Sequence, residues 1–262
     1  MVLTSAQTFL RSPPLIQPSL PSATVSSHCF ATSPRKSRAS LAAARYLSHH
    51  RGSDVVGGTN RMVARASTSQ YSANIAEDVG DVSIFTAAGE PVMFKDLWDQ
   101  NEGIAVVALL RHFGCPCCWE LASTLKEYKS KFDSAGVKLI AVGVGAPNKA
   151  RILAERLPFP MDCLYADPEC KAYNLFGLYY GFGRTFFNPA SAKVLSRFDA
   201  LREAVKNYSI EATPDDRSGV LQQGGMFVFK GKQLLYARKD EGTGDHAPLN
   251  DVLIVCCTAP VA

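Results

Sequence analysis

The pattern of apolar runs predicts an α/β protein with a central mixed sheet flanked by helices. Three observations carry this. Residues 104–110 and 137–144 are short, β-branched apolar runs that read as buried strands. Each leads through a short link into a helical pattern, and such alternation argues for parallel neighbours joined by crossover helices. Shorter strand pairs, near 82–94 and 225–238, bracket this middle and read as antiparallel hairpins. With no internal repeat and no second core, one domain is expected over 69–262.

The first hairpin pairs 82–85 with 92–94 across a turn at Ala88-Gly89-Glu90-Pro91. A short helix over 95–100 should stop at Asn101-Glu102-Gly103. The strand 104–110 follows and should break at Arg111-His112-Phe113-Gly114. A helix is then expected over 116–135. Pro116 suits its first turn, where a missing N–H has no helical partner. Leu121, Leu125, Tyr128 and Phe132 mark its buried face. After Gly136 come a strand at 137–144, a helix at 148–157 closed by Pro158 and Pro160, and a strand at 162–166. Asp167 should cap a helix over 168–176. The aromatic, glycine-rich stretch 177–189 fits no element. A helix over 200–210, the closing hairpin 225–229 with 233–238, and a helix over 248–256 complete the chain.

Charge separates the leader from the body. Residues 1–70 hold eight Arg/Lys and one acid, Asp54, or +7; the remainder holds 20 basic and 23 acidic residues, or −3. The body therefore gives no electrostatic case for nucleic acid. No apolar run approaches the roughly 20 residues of a membrane span. The leader is rich in Ser, Thr, Ala and Pro and nearly free of acids, and it lacks a long apolar core. That excludes a secretory signal and predicts a transit peptide over 1–68, removed near 63–66. Its uncharged start, Met1 to Ala6, leans to the plastid, hence chloroplast and stroma.

Of eight cysteines, three crowd into Cys115-Pro116-Cys117-Cys118. That is no secreted disulfide framework and points to thiol chemistry or a metal. Strand, turn, Cys-x-x-Cys and helix put a thiol at a helix N-terminus, where unpaired N–H groups and the dipole favour thiolate. At 100° per residue, Cys115 and Cys118 lie about 60° apart and Cys117 points away. Cys115/Cys118 is thus the expected redox pair, since vicinal Cys117–Cys118 would close a strained ring. A zinc site would need about four donors, of which these cysteines and His112 could supply some. Arg111 is either a thiolate stabiliser or a solvated strand-end residue, and His112 either a proton relay or a surface polar group. Arg184, in the aromatic stretch, is a further candidate. Trp119, Cys163, Cys170, Cys256 and Cys257 are expected to pack.

The order of elements resembles the thioredoxin superfamily. More narrowly, Arg111-His112-Phe113-Gly114-Cys115-Pro116-Cys117-Cys118, Asn174-Leu175-Phe176-Gly177, Arg184-Thr185-Phe186-Phe187-Asn188-Pro189 and Gln222-Gln223-Gly224-Gly225-Met226-Phe227-Val228-Phe229 resemble the peroxiredoxin-like 2 branch of the alkyl hydroperoxide reductase/thiol-specific antioxidant (AhpC/TSA) group, above all its plant plastid thioredoxin-like member. The similarity spans about 75–257 and implies a thioredoxin-like fold and a thiol redox role. Two departures stand out. Peroxiredoxins carry Pro-x-x-x-Thr-x-x-Cys, but here Arg111 replaces the Pro and Cys115 the Thr, so the hydroxyl that orients peroxide is missing. Thioredoxins carry a cis-proline where this chain has Gln223-Gly224-Gly225.

Which thiol attacks stays open. Thioredoxin logic makes Cys115 the nucleophile and Cys118 the resolving thiol; peroxiredoxin logic reverses them. Cys115, nearer the break, should be more accessible and is favoured. The expected function is an antioxidant thiol–disulfide oxidoreductase cycling Cys115/Cys118 without a cofactor. Its electrons would come from a thioredoxin or glutathione system, and its substrate would be a protein disulfide. One alternative is reduction of a peroxide or prostaglandin-type endoperoxide; another is a non-catalytic zinc- or partner-binding module.

Overall fold

The computed structural model describes residues 68–258, which fall in one compact unit. The leader and its cleavage site lie outside the described residues. Seven strands form one mixed sheet: β1 (Ser83–Thr86), β2 (Pro91–Met93), β3 (Ile104–His112), β4 (Val137–Val144), β5 (Leu164–Ala166), β6 (Gly225–Lys230) and β7 (Gln233–Lys239). Their order is β2-β1-β5-β4-β3-β6-β7. β3–β4 and β4–β5 are parallel, and the hairpins β1–β2 and β6–β7 join antiparallel at either side. This parallel centre with an antiparallel closing hairpin is a thioredoxin-like arrangement.

β3 runs through the middle of the sheet, and its side chains alternate. Val106, Ala108 and Leu110 pack with Leu121, Leu125 and Phe132 on one face. Ala105, Val107 and Leu109 pack with Phe94, Tyr173, Phe176 and Phe227 on the other. A strand buried on both faces must read as a continuous apolar run, which is why it was legible. The facing helix is α2 (Pro116–Ser134).

The remaining helices are α1 (Ile75–Gly80), α3 (Pro147–Arg156), α4 (Lys171–Leu175), α5 (Phe182–Phe186), α6 (Phe198–Ala204) and α7 (Leu249–Thr258). Several expected boundaries move. β3 does not break at Arg111 but continues through His112, with a register shift between Leu109 and His112. The segment expected as a helix over 95–100 is a 3-10 turn, Phe94–Leu97. The helix expected over 168–176 starts only at Lys171, because Cys170 takes φ +54°. Asp167 still caps it, accepting from the N–H groups of Lys171 and Ala172 at 3.0 and 2.8 Å. The expected helix 200–210 ends at Ala204 and dissolves into 3-10 turns. The unassigned aromatic stretch holds α5, followed by a 3-10 run, Pro189–Arg197. Among the described residues no helix is long and apolar enough to cross a membrane.

Candidate active site

The site forms where β3 hands over to α2. Its strand end is secured by Tyr173, whose hydroxyl lies 2.5 Å from the carbonyl of Leu110 and 3.0 Å from that of Val142. A register shift leaves ladder groups unpaired, and this hydroxyl supplies a partner. Gly114 follows. A β-carbon there would overlap Thr213, so only glycine admits the packed Thr213 loop. The Gly114 carbonyl accepts from the Tyr208 hydroxyl at 2.8 Å. Trp119 packs fully buried, as expected, its indole N–H donating to the Phe113 carbonyl at 2.6 Å.

Cys115 is the N-cap of α2, with extended backbone at φ −89° and ψ 120°. Helical angles therefore do not apply to it. An N-cap side chain sits over the second and third helical positions, here Cys117 and Cys118. The thiols of both donate to the Cys115 sulfur. The expectation that Cys117 points away is thus corrected: the 100° rule was counted from a residue outside the helix.

The three sulfurs are electrostatically distinct. Hydrogen bonds from Cys117 and Cys118 pull the Cys115 thiol well below its ordinary pKa despite burial, aided by Arg111 and His112. The Cys117 thiol is pushed up, chiefly by its bond to Cys115 and by burial. Burial pushes Cys118 up, as does its bond to Cys115. One thiolate held by two thiols is the arrangement that results. The expectation that Cys115 is the accessible thiol is corrected, because the packed loops enclose this end of the helix. Cys115 is 3% exposed, Cys117 6% and Cys118 0%, so all three are buried. The segments carrying Tyr208, Thr213 and Gly244 close over this end of α2.

Arg111 is not solvated: it is 3% exposed. Its Nη1 donates to the Cys115 sulfur at 3.3 Å, its Nε to the Gln222 carbonyl at 3.0 Å, and its Nη2 to the Val220 carbonyl at 2.8 Å and the Thr185 hydroxyl at 3.4 Å. No carboxylate among the described residues pairs with it. A buried cation is costly unless compensated, and the Cys115 thiolate supplies the compensating charge. The Arg111 amide also donates to the Cys118 sulfur at 3.2 Å.

His112 is likewise buried, not on the surface. Burial pushes its pKa down to about 4, and its Nδ1 has no hydrogen-bond partner among the described residues. Arg184 does not reach the sulfurs. It stacks on Tyr179 at 4.0 Å and donates to the Glu241 carbonyl at 3.4 Å. Its neighbour Thr185 is the residue that enters, bonding Arg111 and accepting from the Gln223 amide at 2.9 Å. In the place of the cis-proline, Gly224 lies so close to β3 that a β-carbon would overlap the Leu109 carbonyl.

Sequence reasoning missed Asp240 and His246. His246 Nε2 lies 3.1 Å from the Cys117 carbonyl and Nδ1 2.9 Å from the Asp240 carboxylate. Burial pulls the imidazole down, but the Asp240 carboxylate outweighs it and the net shift is upward. The Cys117 carbonyl can only accept, so Nε2 donates to it. The only local signal was a lone histidine in a glycine-rich loop, 129 positions from its partner. Among the described residues no group of three His, Cys, Asp or Glu side chains is arranged to hold a metal ion. Of the outlying cysteines expected to pack, Cys163 and Cys256 are buried and Cys170 is half-buried, but Cys257 is exposed instead, because one residue along α7 turns it about 100° from Cys256.

Comparison with known proteins identifies the family of the chain. The AhpC/TSA antioxidant enzyme family matches residues 124–242. The chain is 33% identical over 185 residues to the thioredoxin-like protein AAED1, chloroplastic, of Arabidopsis thaliana, covering 70% of this chain and 73% of that one. It is 31% identical over 168 residues to prostamide/prostaglandin F synthase of Bos taurus, covering 63% and 79%. It is 27% identical over 185 residues to peroxiredoxin-like 2C of Bos taurus, covering 68% and 78%. A buried thiol cluster on a thioredoxin-like sheet, together with these matches, makes the chain a member of the AhpC/TSA family of peroxiredoxin-like, thiol-dependent antioxidant oxidoreductases.

Proposed function

We propose that the protein performs two-electron thiol–disulfide exchange with Cys115 as nucleophile and Cys118 as resolving thiol. The observation that carries this is the Cys115 sulfur itself: it caps α2, takes hydrogen bonds from two thiols, and lies 3.3 Å from the Arg111 guanidinium. The Cys115 thiolate attacks one sulfur of a substrate disulfide. That S–S bond breaks, and the departing thiolate takes a proton. The Cys118 sulfur then attacks Cys115, passing its proton to the second substrate thiolate as it leaves. The substrate gains two electrons and two protons, and the site is left as the Cys115–Cys118 disulfide. A thioredoxin-type dithiol or glutathione returns the electrons, so no bound cofactor enters.

A second reading is reduction of a small peroxide or prostaglandin-type endoperoxide by the same pair. It is favoured by the name of the bovine relative and by access, since a sulfur 3% exposed suits a small substrate better than a protein. Consumption of hydroperoxide or endoperoxide with a thiol donor, set against reduction of protein disulfides, separates the two. Trapping decides the nucleophile: with Cys117 replaced by Ser in both proteins so that it cannot resolve the adduct, Cys118→Ser should accumulate a mixed disulfide that Cys115→Ser does not form, and the reverse would assign attack to Cys118. A zinc- or partner-binding module is tested by metal content of protein purified under reducing conditions.

We place the mature protein, from about residue 69, in the chloroplast stroma. The acid-poor, Ser-rich leader and the chloroplastic relative support this. N-terminal sequencing of the organelle form tests it, and an intact Met1 would reject it.

A further inference from the structure

The Cys115/Cys118 cycle leaves Cys117 idle, yet the fold builds it into the cluster. Its thiol is directed at the Cys115 sulfur, as that of Cys118 is. It is the most exposed of the three, whereas Cys118 is fully enclosed. Its backbone is held from outside the helix, because the His246–Asp240 pair grips its carbonyl. Its side chain faces the backbone of Gly244, where a β-carbon would come within 3.3 Å of the sulfur. In a helical first turn, residues two apart and three apart both have Cα atoms about 5 Å from each other, within disulfide reach.

We propose that Cys117 is a second resolving thiol, so that the oxidised site exchanges between a Cys115–Cys118 and a Cys115–Cys117 disulfide. This rests on Cys115 being the nucleophile. In the mixed disulfide, the Cys117 sulfur attacks Cys115 and its proton passes to the departing substrate thiolate. The Cys115–substrate bond breaks and Cys115–Cys117 forms, the two electrons coming from the two protein thiols. Starting from Cys115–Cys118, attack by Cys117 on Cys115 expels Cys118, which takes the proton, with no net redox change. The outer disulfide is then the one that an external thiol reductant meets, since Cys118 is sealed beneath it.

The test is disulfide mapping on full-length protein treated with oxidised glutathione, acid-quenched and alkylated. Trypsin releases residues 112–126 as one peptide that holds all three sulfurs and no other cysteine. In Cys118→Ser, or Cys118→Ala should serine disturb this enclosed position, loss of two hydrogens from that peptide can only be Cys115–Cys117, and this is the expected result. In wild-type protein the alkyl label is expected on Cys118 in part of the molecules and on Cys117 in the rest. The inference is overturned if Cys118→Ser stops at the glutathione adduct while Cys117→Ser closes its ring, or if wild type carries label on Cys117 alone; both outcomes leave the Cys115/Cys118 reading standing. Adduct formation by Cys115→Ser at the wild-type rate would overturn both.

Discussion

Two populations of cysteine share this fold and differ in what surrounds the sulfur. Cys163 and Cys256 are buried in the same apolar cluster that receives Cys115, and Cys170 sits half-buried at a helix start, as Cys115 sits at another. Burial pushes the first two up to about 11 and about 12, and Cys170 up to about 11. Cys115 is buried as Cys163 and Cys256 are, yet moves the opposite way. Enclosure therefore does not decide reactivity. Two thiol donors and a buried guanidinium do, because removal from water penalises the thiolate only where nothing replaces the lost hydrogen bonds.

The sharpest way to break this contrast is to remove the reactive sulfur. Cys115→Ser should lower turnover by at least ~10³-fold, the scale for loss of a nucleophile, and should abolish the fast-alkylating thiol in a timed iodoacetamide assay. Fast labelling that persisted at Cys163 or Cys256 would collapse the distinction.

Removing the cation tests the cause. Arg111→Met should slow alkylation of Cys115 at pH 6 by about tenfold or more, the effect of one nearby opposite charge. The midpoint of the pH–rate curve should move upward. Arg111→Lys should recover only part of the rate, because an ammonium keeps the charge but cannot fork to Gln222, Val220, Thr185 and Cys115 together. An unchanged profile in Arg111→Met would leave the two thiol donors alone responsible.

His112 sharpens the comparison on the stability side. It is neutral in the fold, with a pKa near 4 against 6.5 for the free group. Between those values the unfolded chain binds the extra proton. The stabilisation is therefore fully present above pH 6.5 and is lost as pH falls towards 4. Urea unfolding should show wild type losing about 2 kcal/mol more than His112→Asn between pH 6.5 and 4.5. Parallel losses in the two proteins would assign the acid sensitivity elsewhere. The smallest effect belongs to the packed population: Cys163→Ala should cost about 1 kcal/mol of stability and leave turnover unchanged.

What the chain determined locally was legible. The apolar runs of β3 and β4, the Pro116 helix start, both hairpins and the Cys-x-x-Cys spacing all depend on neighbours a few residues away, so periodicity and turn chemistry exposed them. The antiparallel hairpins and parallel centre followed, and with them the thioredoxin-like sheet. Tertiary structure decided the rest. The burial of Arg111 rests on Gln222, 111 positions distant, and the grip on Cys117 rests on His246. The inward turn of Cys117 depends on one N-cap backbone angle that no helical wheel contains. Arg184 and Thr185 exchanged roles for the same reason: adjacent residues on a short helix face different ways, and only the packed loop selects which one meets the thiolate.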